Sequence, residues 1–135
     1  MDAQQNLQNF KERQYAKGNS RDDDMIGDTL GRLQGEIIKG TLTRANAGGA
    51  YYGNLTAPFL PPVDDAQNEW YVKRDVGGMP GYASQKGPGT PRVLLLVRNG
   101  QPTDIAYFSP HYTSFERLGP AFFKRAETMK AILSK

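Results

Sequence analysis

The chain has 135 residues and a mass of 15.0 kDa, the length of one domain, with 38 % hydrophobic and 23 % charged residues, enough apolar material for one modest core. Cysteine is absent and His111 is the one histidine, which excludes disulfides, thiolate zinc sites, cysteine catalysis and multi-histidine metal centres. The longest apolar run, Val93 to Val97, is strand length and well short of the roughly 18–20 residues of a membrane span.

A polar stretch follows Met1, so no secretory signal is read. A cytoplasmic protein is expected, in the host cytoplasm or the virion if the gene is a phage's. The formal charge is +3 and the pI near 9.2. Residues 1–28 hold four Lys/Arg against six acids, while residues 29–135 hold thirteen against eight. A basic body raises the expectation of a polyanionic partner; a merely solvated surface accounts for the same charge.

Residues 1–28 read as a polar arm. Within residues 1–24, Leu7, Phe10 and Tyr15 are the few large apolar residues after Met1, too few to offset ordering entropy. Residues 25–34 read as a connector, because two glycines argue against a helix. Gly35 to Arg44 reads as a strand and Ala50 to Ala57 as its hairpin partner, with Ala45 to Gly49 as the turn. Residues 58–65 form a Pro-rich loop, and Asn68 to Arg74 a third strand. Residues 77–91 hold five glycines and three prolines and read as a long loop, the kind that is usually functional or disordered.

Arg92 to Arg98 is apolar on both faces and reads as a central strand. Asn99-Gly100 is a hairpin signal, because both residues accept positive φ, and Asp104 to Phe108 is the partner strand. Gly119-Pro120 opens a helix over 119–134, on which Phe122, Ala126, Met129 and Leu133 share one face. The expected fold is α+β and mainly β: a small five-stranded, mostly antiparallel sheet or partly open barrel. One C-terminal helix packs on it, over a single domain of residues 29–135 behind a flexible arm.

Signatures of catalysis are missing. There is no phosphate loop, and Gly77 to Gly81 does not open a βαβ unit. Asp22, Asp23, Asp24 and Asp28 lack the ligand spacing of a calcium loop and read as an acidic solvated turn. His111, near Ser109 and Ser114, reads as a surface or hydrogen-bonded residue. No catalytic residue, metal or cofactor is expected, and no family is identified from these motifs.

Aromatic and basic residues interleave on the predicted strands. One of each adjacent pair Tyr51/Tyr52, Trp70/Tyr71 and Tyr107/Phe108 should face outward. The candidate site is Lys39, Arg44, Tyr52, Tyr71, Lys73, Arg74 and Arg98 on a sheet face, closed over by Tyr82 and Lys86 of the Gly-rich loop. Such a face stacks bases and neutralises phosphates, so the expected function is non-enzymatic binding of single-stranded DNA or RNA. The same aromatics could equally be core and cross-strand pairs that give stability alone. The alternative is a structural or assembly protein, of a virion or larger complex, that holds a neighbour or its own copies through residues 1–24. An inhibitor occupying another protein's site is a third reading. No membrane partner is expected.

Overall fold

The computed structural model describes residues 10–16, 21–79, 90–110 and 114–135. The fold is α+β: the described residues form an open mixed sheet of six strands with two helices, not a barrel. In chain order the elements are β1 (Glu12–Arg13), α1 (Arg21–Lys39), β2 (Tyr51–Tyr52), β3 (Trp70–Asp75), β4 (Arg92–Arg98), β5 (Gln101–Ser109), β6 (Glu116–Leu118) and α2 (Pro120–Leu133). The spatial order is β1-β6-β5-β4-β3-β2, antiparallel throughout except for the parallel pair β1–β6.

The centre of the sheet follows the expectation. Asn99 (φ 51°) and Gly100 (φ 76°) make the two-residue turn between β4 and β5, and β4 is buried along nearly its whole length. The strand expected over Asp104 to Phe108 extends to Gln101–Ser109, with an irregularity between Leu95 and Val97 that absorbs the register shift.

The connector and strand expected over 25–44 are wrong: α1 covers most of that stretch. Ile26, Leu30, Leu33 and Ile37 recur at four, three and four residues and are all buried. Gly27, Gly31 and Gly35 each cost about 1 kcal/mol of helix propensity. They are retained because α2 lies directly on them. A Cβ on Gly31 would stand 2.3 Å from the Ala126 carbonyl oxygen, and one on Gly27 2.4 Å from Arg125 Cγ. Gly27 meets Phe122 and Arg125, Gly31 meets Ala126 and Met129, and Gly35 meets Lys130 and Leu133, so the two helices run parallel. Asp22, Asp23 and Asp24 occupy the first turn of α1 and Lys39 the last, matching the helix dipole. Gly40 (φ 86°) ends α1 in a Schellman arrangement, its N–H donating to Ile37 O and that of Thr41 to Glu36 O. The hairpin expected between 35–44 and 50–57 therefore does not exist. Only Tyr51–Tyr52 is strand, and it pairs with β3.

The arm is also corrected. Residues 10–16 belong to the domain, and α1 begins at Arg21, inside the span read as arm. Phe10 packs edge-on against Tyr107 (ring centroids 5.2 Å) and Tyr15 against Phe122 (4.9 Å). Arg13 bridges Asp23 and Glu116 at 3.0 Å each, and Arg117 reaches Glu12 at 2.8 Å. Asp23 also accepts the Ala16 N–H, and Asp24 accepts the Tyr15 hydroxyl. The aspartate cluster is thus the clamp that seats the N-terminal strand, a role that needs long-range contacts to be seen. Residues 1–9 and 17–20 lie outside the described residues.

Both faces of the sheet are covered. The helices pack over Trp70, Val72, Val93, Leu95, Val97, Ala106 and Phe108. On the opposite face Tyr71, Leu94, Leu96, Ile105 and Tyr107 are closed in by Leu60, Phe115, Phe10 and Tyr52. No helix among the described residues is long and apolar enough to cross a membrane.

Candidate functional site

Those residues of the expected basic aromatic face that the structure describes do not converge on one surface. Tyr71 is 1 % exposed, and its hydroxyl donates to Pro61 O at 2.7 Å. Burial pushes that phenol far above its ordinary range, consistent with a fixed neutral donor. Tyr71 therefore offers no ring face to a base, which corrects its place in the expected site. Tyr52 is half-buried, edge-on to Phe115, and burial raises its phenol too.

Arg74 donates to Glu36 of α1 at 2.8 Å, and the guanidinium holds that carboxyl below its ordinary value. Arg98 meets Glu69 at 2.7 Å, and Glu69 is itself buried. Arg13, Arg92, Arg117 and Arg125 are likewise ion-paired with acids. A guanidinium that already meets a carboxylate has less charge to offer a phosphate. Lys73 is half-buried on the Tyr71 face of β3, opposite Leu94. Lys39 is exposed at the end of α1. Tyr82, Lys86 and His111 lie outside the described residues.

What does come together lies at the β2 edge. Tyr51 stacks on Trp70 with ring centroids 6.1 Å apart and planes 12° off parallel. The exposed Arg44 places its guanidinium carbon 5.5 Å from the Tyr51 ring centre and donates to its hydroxyl at 3.4 Å. Tyr51 is the exposed member of its pair, at 39 %. Alternation on the strand leaves that choice open, and the expected site takes Tyr52 where the structure exposes Tyr51. Beside Trp70, where α1 ends and the β4–β5 turn begins, lies a cavity of about 280 Å³. Ile37, Leu42, Trp70 and Val97 form its apolar lining, and Thr43 and Arg44 add polar groups. Its ingredients were visible in the sequence, but its assembly depends on α1, which the sequence reading lacked.

The second feature of this edge is the loop that follows β2. Residues 45–63 contain no charged side chain, nineteen in a row between Arg44 and Asp64. Asn54 (φ 55°) turns the chain, and its side chain closes a ring with Leu60. Nδ2 donates to Leu60 O and Oδ1 accepts the Leu60 N–H, both at 2.8 Å. The amide thus pairs with Leu60 as a strand neighbour would, and five residues are held out beyond it. Among them Leu55 is 86 % and Phe59 57 % exposed, with Val63 also exposed nearby. Pro58, Pro61 and Pro62 restrict the backbone further.

No group of acids or histidines suited to a metal ion occurs among the described residues. The chain matches no protein family, no curated protein and no solved structure.

Proposed function

We propose that this protein is a non-catalytic assembly module that holds a protein partner through the β2 edge and its neutral loop. The observation that carries this reading is the exposure of Leu55 and Phe59 on a loop closed by the Asn54–Leu60 pairing. Scattered apolar residues are normal on a surface, but here four of the six exposed large hydrophobic residues among the described residues, Tyr51, Leu55, Phe59 and Val63, fall within thirteen positions. A loop already fixed in shape loses little entropy on docking. The docking element is this loop, in place of the arm at residues 1–24.

A photo-crosslinking amino acid at Leu55 tests the reading in extract of the producing cells, with the same group at the exposed Lys124 of α2 as control. A discrete adduct from position 55 alone is expected. Equal, diffuse labelling from both positions would refute it.

Single-stranded nucleic acid remains the second reading, favoured by the Arg44–Tyr51–Trp70 stack. A guanidinium laid on a ring presents a flat cation to a base and a charge to its phosphate. Trp70 fluorescence titrated with oligothymidylate at low salt tests it. Quenching that fades with salt and is lost in Arg44→Ala supports this reading, and a flat titration removes it.

A further inference from the structure

We infer that the partner of the loop is a second copy of this chain, each copy seating Phe59 in the cavity beside the other's Trp70; the inference rests on the reading of the loop as a docking element. The cavity calls for an uncharged, ring-sized occupant. Its apolar walls are Ile37, Leu42, Trp70 and Val97; among the described residues that line it there is no carboxylate, Thr43 and Asn68 are neutral, and the one cation, Arg44, already lies over Tyr51. An apolar cavity of roughly 150 Å³ accepts a benzene ring; this one measures about 280 Å³, room for a benzyl group and its flanking atoms.

The chain carries the matching plug. Phe59 is the one exposed phenylalanine among the described residues, and it stands in the nineteen-residue stretch without charge. A neutral loop entering an apolar cavity strands no counter-charge on either side, whereas the charged surface elsewhere would. The cavity and the two ends of the loop also share one indole. Trp70 lines the cavity, and it lines as well the recess on the loop side formed with Tyr51, Tyr52, Asn54 and Val63. Surfaces that lie side by side can be satisfied together by a twofold axis passing beside them, so that both contacts form at once and the assembly closes as a pair. The same pairing would cover β2, an edge strand of only two residues.

The test is sedimentation of the full chain across a dilution series, with Phe59→Asp and Leu55→Asp altering the loop and Thr43→Trp blocking the cavity mouth. All three positions are exposed, and circular dichroism with thermal melting checks that each variant folds. The wild type should be dimeric at high micromolar concentration and dissociate on dilution. Each variant should weaken the dimer roughly thirtyfold or more, the effect of removing a central apolar anchor. Mixing Phe59→Asp with Thr43→Trp should restore a mixed dimer, because one intact loop then faces one intact cavity.

A dimer indifferent to all three substitutions, or no recovery on mixing, overturns the reciprocal seating. A monomeric wild type whose position 55 crosslinks to a different protein overturns the second copy and leaves the docking reading standing. A monomer with no specific crosslink removes both. Binding of labelled oligothymidylate to a monomeric chain, read by anisotropy and abolished by Thr43→Trp, would assign the cavity to a base instead.

Discussion

The seam between α1 and α2 and the edge around β2 use glycine in opposite ways. In the seam, glycine is an absence that another helix fills: a Cβ at Gly35 would meet Leu133 Cβ at 2.6 Å. At the edge, a Cβ on Gly48 or Gly49 would meet nothing within 4 Å. The first region gains its stability from closeness. The second is fixed by a few directed hydrogen bonds and leaves its apolar side chains in water. A surface of that kind adds little to folding, which is why the proposed partner is placed there.

The sharpest way to break the contrast is Gly31→Ala. The added methyl meets a backbone carbonyl, which cannot swing aside as a side chain can. Overpacking of about 3 kcal/mol less a helix-propensity gain near 1 leaves a loss of about 2 kcal/mol, read as a lower midpoint in urea unfolding. An unchanged midpoint would mean that the helices are not in close contact.

Tyr71→Phe comes next. It removes the donor to Pro61 O and leaves a buried carbonyl unpaired, at a cost of about 1–2 kcal/mol. Full stability in this variant would mean that the Pro-rich loop does not rest on Tyr71.

A smaller effect is tied to pH. Arg74 holds the folded Glu36 below its ordinary 4.5, so the folded state favours the charged form. That contribution is complete above 4.5 and fades as the pH falls through the lower folded value. Glu36→Gln should therefore flatten the stability–pH curve below that point, by up to about 1 kcal/mol for a pair that is partly exposed. Parallel curves for the two proteins would show the pair to be idle.

The smallest effects belong to the edge. Gly49→Ala and Phe59→Ser should each change unfolding free energy by less than about 0.5 kcal/mol. A large loss in Phe59→Ser would make the ring part of the fold, and the docking argument would fail with it.

Much of the sheet was legible because its signals are local. Asn99-Gly100 fixes a turn, the run from Val93 to Val97 fills a central strand, and Pro120 with the spacing of Phe122 and Ala126 marks α2. The first helix was misread because glycine content outweighed the spacing of Ile26, Leu30, Leu33 and Ile37, and those glycines make sense only once α2 is in place. The binding face was misread for a related reason. Strand alternation separates the two faces, but it does not tell whether Leu60, Phe115 or Phe10 will return to cover one of them. The arginines that suggested a phosphate partner were matched with acids distant in sequence, Glu36 with Arg74 and Glu69 with Arg98. Arg44 belongs to the expected site, and its partner Tyr51 was within reach, because the two flank a turn seven residues apart.

The parallel seam also sets an order of events. Roughly eighty residues separate α1 from α2, whereas β4 and β5 are joined by a two-residue turn, so loop closure favours the hairpin. During synthesis α1 leaves the ribosome with its notched side bare, too rich in glycine to persist as a helix by itself. Pulse-labelled hydrogen exchange should accordingly protect Leu94 and Tyr107 before Leu30, and simultaneous protection would refute that order. Of the two helices described, the one made first would then wait for the one made last.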